Sequence, residues 1–324
     1  MKLLLIDNDT DNYDFLTPEF DKVIYSPSRS YKVKGWLVGA YRAFRETSKH
    51  DVIVCWFDFQ AILVYCFTRL LLSPRRIICI NIMLKDKTTL KNRLVSHLYA
   101  FALNDKNVTA TITSRAYGDW LNQKLNGNFN FIPLRDVYHS YYETESTIET
   151  EPYVFCGGRN GRDWSLMYQI AKRMPDVLFK FVLSTDDIEK HHLQELTNVT
   201  ALSNLLPDDF LRVLSRSTAV CLPLDTIGPA GLIVLYQAAA NLRPVLMSET
   251  VVTREYITPD RGYLLNSDPD QWCSVLRHIL SSSKESQQRA INLRSFLRTN
   301  CSEKVFCLTI RNIMHQAYEN SSLQ

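Results

Sequence analysis

Glycine is scarce in this chain, ten residues in 324, and five of the ten (Gly157, Gly158, Gly161, Gly228 and Gly231) fall in two short stretches. The eight cysteines form no C-x-x-C pair, and Cys55, Cys79, Cys156 and Cys221 sit inside apolar strand-like runs. That usage excludes a disulfide framework and reads as reduced core residues of a cytoplasmic protein. Long apolar runs are also missing. The most apolar segment, residues 61–72, contains Arg69 and is well short of the ~20 residues a membrane-spanning helix needs, so it reads as a buried or interfacial helix. The opening MKLLLI meets Asp7, Asn8 and Asp9 at once, which reads as a first strand rather than a signal peptide. His97, His139, His191 and His192 show no metal-ligand spacing with acids or cysteines, and no Asp-x-Asp pair stands at a clear strand end. A net charge of +3 is too small to argue for nucleic acid, and 46% apolar residues rule out disorder.

What is present is alternation. In the first half, strand-like runs at 2–6, 22–25, 51–57, 76–82, 109–113 and 130–133 are separated by helical periodicity at 35–47, 59–72, 88–103 and 115–125. A polar, acidic stretch at 140–151 follows, and the alternation then restarts from Tyr153, including a helix expected at 188–196. The expected fold is α/β: two doubly wound Rossmann-like domains facing a central cleft, with domains at 1–148 and 149–301 and a last helix at 302–324 that packs back on the first. Positive charge concentrates in the first half. Residues 22–49 carry seven Lys/Arg against Glu46, and residues 69–93 carry seven against Asp86. Solvated helix faces or an anionic membrane face both fit this distribution. Residues 85–103, with Lys87, Lys91 and Arg93 ahead of Leu94, Val95, Leu98, Phe101 and Leu103, read as an amphipathic helix facing either the core or a bilayer.

The two glycine clusters carry the chemistry. An apolar run at 153–156 ends in Gly157, Gly158, Arg159, Asn160, Gly161 and Arg162, ahead of Trp164, Met167, Ile170, Ala171 and Met174 at helical spacing. Glycines let the backbone approach a ligand, and the helix that follows offers N–H groups and a positive dipole end to an anion. Two guanidinium groups suit a diphosphate, since each binds oxygens bidentately. Asp163 reads as a cap for that helix. The second cluster follows a strand at 219–223, where Gly228, Pro229, Ala230, Gly231 and Leu232 lead into another helix.

With Gly158-Arg159, Arg162, Leu222-Pro223, Gly231-Leu232-Ile233, Ala238-Ala239, Pro244-Val245 and Arg254-Glu255-Tyr256-Ile257 in this order, the chain resembles the second domain of GT-B-fold glycosyltransferases, most closely glycosyltransferase family 4. The resemblance implies a nucleotide-diphosphate sugar as donor, a glycan or lipid-linked acceptor, retention of configuration, and no metal or other cofactor. Arg159 and Arg162 would then neutralise the diphosphate leaving group as catalytic residues, with Gly157, Gly158, Asn160, Pro229, Ala230, Gly231 and Leu232 around the donor. The family's first glutamate falls near Gly228 or Pro229 and is absent. Its ribose-holding second glutamate falls on Tyr236 or Gln237, and counting back from Pro244 selects Gln237, a neutral hydrogen-bond acceptor. The first domain matches in architecture only. Asn8, Asp9, Lys85 and Ser114 are its acceptor-side candidates, Ser114 also being a natural helix cap. The missing glutamates keep a second reading open, a nucleotide-sugar-binding scaffold of the same fold.

Overall fold

The computed structural model describes residues 2–8, 15–26, 33–84, 90–144, 150–281 and 283–319. The chain divides into two compact units, Met1–Arg135 with Glu303–Gln324, and Asp136–Ser302.

Unit 1 contains β1 (Leu3–Asn8), β2 (Lys22–Ser26), α1 (Val33–Glu46), β3 (Val52–Cys55), α2 (Asp58–Leu70), β4 (Arg76–Cys79), α3 (Leu90–Leu103), β5 (Val108–Ile112), α4 (Arg115–Leu125) and β6 (Ile132–Pro133). Its six described strands are parallel in the order β2-β1-β3-β4-β5-β6. The runs VIVC and RIIC of β3 and β4 are buried throughout, as expected for strands covered on both faces. Each step from β2 through α1 to β3, and onward to β6, moves the same way along the sheet. Right-handed crossovers therefore put α1 to α4 on one face. The last helix of the chain (Glu303–Glu319) packs against β3 and β4 with Phe306, Ile310, Ile313 and Met314 buried.

Helix α3 is amphipathic in an unusual sense. Tyr99 and Ala102 are buried, while Leu90, Leu94, Leu98 and Phe101, the i, i+4, i+8 and i+11 positions, are exposed, Leu90 at 76%. Of the two orientations its sequence allows, the structure turns the leucine stripe outward.

Unit 2 contains β7 (Tyr153–Gly157), α5 (Trp164–Arg173), β8 (Leu178–Val182), α6 (Thr185–Lys190), β9 (Val199–Leu202), α7 (Pro207–Ser215), β10 (Ala219–Leu222), α8 (Leu232–Ala240), β11 (Val245–Ser248), β12 (Tyr263–Leu265), α9 (Pro269–Ser281) and α10 (Ser283–Cys301), so the last helix of the chain is α11. Six parallel strands run in the order β12-β11-β10-β7-β8-β9, with β7 and β10 central. The order reverses direction between β7 and β10, so their carboxyl ends flank the crevice where such sheets bind ligands. The core on one face is built from Trp164, Met167, Ile170, Phe179, Phe181, Trp272 and Leu276.

Two expectations change. The helix expected at 188–196 begins earlier and stops sooner, because Ser184 caps α6 by accepting from the Asp187 amide at 3.1 Å and His192 adopts a left-handed conformation (φ 54°). Residues 140–144, the start of the polar, acidic stretch at 140–151 expected to link the domains, are instead held on unit 2, together with residues 136–139. The Tyr138 amide donates to the Cys301 carbonyl at 2.7 Å, and the Asn241 side-chain amide donates to the Tyr142 carbonyl at 2.9 Å. Glu143 accepts from Tyr138 Oη at 2.9 Å and receives both Nε and Nη2 of Arg298.

The Arg298 hydrogen bonds are the main reason the Glu143 carboxyl titrates below its usual range, with Tyr138 assisting against partial burial. A depressed carboxyl pKa means that the unfolded chain binds the proton more readily. The contribution is therefore present above the ordinary carboxyl pKa of about 4.3 and is lost as pH falls through the folded value. Glu143→Gln should cost up to about 1 kcal/mol at neutral pH, as partly exposed pairs do, and should flatten the acid limb of a urea-stability profile. An unchanged profile would mean that the pair contributes nothing.

Candidate functional site

The site is assembled at the carboxyl ends of β7 and β10. β7 closes on Gly157, and the chain reverses through Gly158 (φ 125°) and Gly161 (φ 62°), conformations that L side chains rarely adopt. This turn is tied to the loop leaving β10. The Asp163 amide donates to the Pro223 carbonyl and the Asp225 amide to the Gly161 carbonyl, each at 3.1 Å, with Arg162 and Leu224 forming an antiparallel bridge between them. A Cβ at Gly161 would meet Thr226 Cγ2 at 2.3 Å, so the two loops touch because this residue is glycine. The end of β11 joins the frame through Ser248, whose hydroxyl accepts from the Leu224 amide at 2.8 Å.

Arg162 lies inside this frame. Its Nε donates to the Gly157 carbonyl at 2.8 Å, folding the guanidinium back over the strand end, where the residue is only 6% exposed. The guanidinium sits between two glycines. A Cβ built on Gly158 would be 2.9 Å from Nη2, and one on Gly231 would be 3.0 Å from Nη1. Nη1 is buried and has no hydrogen-bond partner. Burial lowers the pKa of the group, opposed by Cys156 and Asp225, but an arginine in a protein stays protonated. No carboxylate makes an ion pair with it among the described residues, and an unpaired buried ion costs several kcal/mol even after the surroundings relax.

The guanidinium approaches a second positive element. Gly231, in the left-handed region at φ 80°, begins α8 without any side-chain cap. The first N–H groups of the helix therefore lack intrahelical partners, and the dipole places positive potential at the same point. A buried cation beside an uncapped helix start is an anion-binding geometry.

The structure narrows the sequence expectation in two respects. Of the two helix starts expected to offer amides to the anion, the one after the glycine-arginine turn is capped by Asp163, as its sequence suggests, with Oδ1 accepting from the Leu166 amide at 2.9 Å. The positive end left open belongs to α8. The Ala230 amide, expected to face the ligand, is spent on the Gly228 carbonyl at 2.7 Å.

The structure thus brings Gly157, Gly158, Arg162, Gly231 and the start of α8 at Leu232 together, with Pro229 and Ala230 buried behind them. Arg159 and Asn160 stand exposed on the turn. Of the two residues aligned with the ribose position, Tyr236 is fully buried in the core between Tyr138 and Tyr256. Gln237 is half-buried, and its Oε1 is a buried acceptor without a partner. In unit 1, Asn8 ends β1, Ser114 caps α4 by accepting from the Tyr117 amide at 3.3 Å, and Asp9 and Lys85 lie outside the described residues.

One residue escaped the sequence reading. Asp58 opens α2 at the end of β3 and accepts from the amides of Met83 at 3.0 Å and Phe59 at 2.7 Å, latching the β4–α3 connection to the sheet. Burial pushes its carboxyl pKa up, against those hydrogen bonds and one from Tyr99. An acid directly after a buried strand was its only signal.

No protein-family model and no curated protein matches the sequence. Solved structures do match. HepE of Anabaena, crystallised with UDP and glucose, aligns with a TM-score of 0.74 at 12% identity over 98% of this chain and 100% of that one. The sucrose-phosphate synthase of Thermosynechococcus elongatus aligns at 0.73 and 11% identity, over 98% of this chain and 89% of that one. A glycosyltransferase of Rickettsia africae ESF-5 aligns at 0.70 and 10% identity, over 98% of both chains. The chain therefore shares the α/β architecture of GT-B glycosyltransferases, with two parallel six-stranded sheets flanked by helices.

Proposed function

We propose that the chain is a glycosyltransferase that takes a sugar from a nucleotide-diphosphate donor and transfers it to a glycan or lipid-linked acceptor, in surface polysaccharide or glycoconjugate synthesis. The observation that carries this reading is the unpaired, buried Arg162 guanidinium at the uncapped start of α8. As the bond from the sugar's anomeric carbon to the phosphate oxygen breaks, negative charge builds on the diphosphate. Preorganised donors at that point stabilise the transition state more than the ground state. Arg162 and the α8 amides take the diphosphate in this scheme, and the unpaired Gln237 Oε1 accepts from a ribose hydroxyl. In the retaining course the acceptor oxygen bonds to the anomeric carbon and its proton passes to the leaving phosphate. No metal is assigned a part.

The fold companions make UDP the first nucleotide to test, HepE having been crystallised with it. The experiment is a transfer assay over UDP-, GDP-, ADP- and CMP-linked sugars with glycan and lipid-linked acceptors. Sugar transfer from one donor supports the proposal. Nucleotide binding without transfer or hydrolysis across the panel would favour the scaffold reading, which the neutral Pro229 and Gln237 motivate.

The acceptor side is proposed to meet an anionic membrane face. No described helix is long and apolar enough to cross a membrane. The outward stripe of α3 is instead continuous with α2: Phe101 packs edge-on against Tyr65, and Arg69 lies over both rings at 5.6 and 5.3 Å. Leu72, two residues past the end of α2, is 90% exposed. Apolar side chains interleaved with arginines suit a headgroup layer. Wild-type protein should float with liposomes containing anionic lipid at low salt, and Leu94→Glu/Phe101→Glu should not. Failure of the wild type to float would remove the membrane from the proposal and leave the donor site standing.

A further inference from the structure

The chain leaving β4 is irregular in shape yet tied down at every residue. Each of the five backbone amides from Ile80 to Leu84 has a partner, and the partners come from four different elements. Ile80 donates to the Cys55 carbonyl of β3 at 3.0 Å, Asn81 to Thr111 Oγ1 of β5 at 2.8 Å, and Ile82 to the Thr111 carbonyl at 3.0 Å. Met83 donates to Asp58 Oδ2 of α2 and Leu84 to Tyr117 Oη of α4, both at 3.0 Å. The hydroxyls answer in turn, Thr111 donating to Asn81 Oδ1 at 3.1 Å and Tyr117 to the Leu84 carbonyl at 3.3 Å. A surface connection needs none of this, because water satisfies its amides.

The outcome is a fixed display. Ile80, Ile82 and Leu84 are buried, whereas Met83 is 50% exposed and Asn81, held left-handed at φ 46°, is partly exposed. Left-handed conformations are uncommon outside glycine, and strained ones persist where the surroundings over-determine them. The sheet order of unit 1 reverses between β1 and β3, so the carboxyl ends of those strands flank its crevice, with β4 the next strand to β3. The display therefore stands beside the crevice. An amide next to a thioether suits a sugar, which offers hydroxyls at its edge and C–H groups on its faces.

The charge on Asp58 works against folding. Burial raises its carboxyl pKa, against the hydrogen bonds from Met83, Tyr99 and Phe59. The folded carboxyl binds its proton more readily than the unfolded one, so ionising it costs stability as pH rises through the folded value. We infer that Asp58 and Tyr117 are positioning residues for acceptor binding, holding residues 80–84 so that Asn81 and Met83 meet the acceptor sugar. The inference rests on the glycosyltransferase reading and adds to it the element of unit 1 that selects the acceptor.

Asp58→Asn and Tyr117→Phe keep the side-chain shape, and each removes an acceptor for one amide of the segment. The test combines hydrogen exchange on the full chain with transfer kinetics, using UDP-glucose as donor and the octyl glycosides of glucose, galactose and N-acetylglucosamine as acceptor probes. Each variant should exchange faster at 80–84 and raise the acceptor KM about tenfold, while the KM for UDP-glucose and the melting shift from UDP stay at their wild-type values. A wild-type acceptor KM in both variants would overturn the inference, as would donor and acceptor KM rising together, or exchange at 80–84 that neither variant speeds. Those outcomes leave the transferase reading standing, because the wild type is active in each of them. No transfer by the wild type to any probe would remove that reading and this inference with it.

Discussion

Arg162→Met should lower transfer by roughly 10²–10³-fold, about 3–4 kcal/mol of transition-state stabilisation, while leaving the melting temperature unchanged or raising it. The two halves of this expectation have one cause. The guanidinium is buried with Nη1 unpaired and with Asp225 acting on it only at a distance, without an ion pair, so the ligand-free fold carries a charge that is only partly compensated. Methionine removes that cost, fills similar volume and gives up one hydrogen bond, the 2.8 Å contact to the Gly157 carbonyl. A residue kept for folding would behave oppositely, losing stability when replaced. Differential scanning fluorimetry and initial rates on one preparation separate the cases. Arg159→Met, at an exposed position, is the control and should reduce transfer far less.

The second large effect is expected at Gly231. Alanine there must adopt φ 80°, which costs about 1–2 kcal/mol for an L residue, and its Cβ would press on Arg162 Nη1 and Met247 Cε at 3.0 Å. The sulfur-bearing chain of Met247 can yield, but the guanidinium is anchored by Nε and moves only by leaving its nook. Gly231→Ala should therefore lose about 1–3 kcal/mol of stability in urea melts and most of its nucleotide affinity together. Combining it with Arg162→Met should relieve part of the stability loss, because the group that the Cβ pushes against is gone. Full additivity of the two stability changes would show that Gly231 and Arg162 are not in contact.

The architecture was readable wherever one force dominates. Continuous runs such as VIVC at β3 and AVCL at β10 are buried at every position, and only a covered parallel sheet accommodates them. Boundaries set by single hydrogen bonds were less readable. Ser184 and His192 displace α6 from its apolar pattern, because a cap and a left-handed residue outweigh weak periodicity. On α3 the pattern shows a stripe but not its direction, since Tyr99 and Ala102 on one side and Leu90, Leu94 and Leu98 on the other are all apolar.

The candidate site divides in the same way. Its two glycine loops stand out in a glycine-poor chain, yet Arg159 and Arg162 are equivalent by sequence. Only the bridge between Arg162 and Leu224 and the Nε contact to Gly157 turn Arg162 inward. Asp163 decides which helix start remains open, and a capping aspartate looks the same in sequence whether or not it is engaged. Asp58 has no motif at all, because its role is defined by the Met83 amide 25 residues away.

The central claim is that Arg162 and the start of α8 form a diphosphate site. The most direct measurement is the melting shift produced by UDP, compared with that produced by uridine, in wild type and in Arg162→Met. A ligand at 100 times its dissociation constant stabilises by about 2.7 kcal/mol, and a saturating diphosphate should raise the wild-type melting temperature accordingly. Uridine should do far less, and the variant should lose most of the difference between the two. Equal shifts from UDP and uridine, or an undiminished UDP shift in Arg162→Met, would contradict the account.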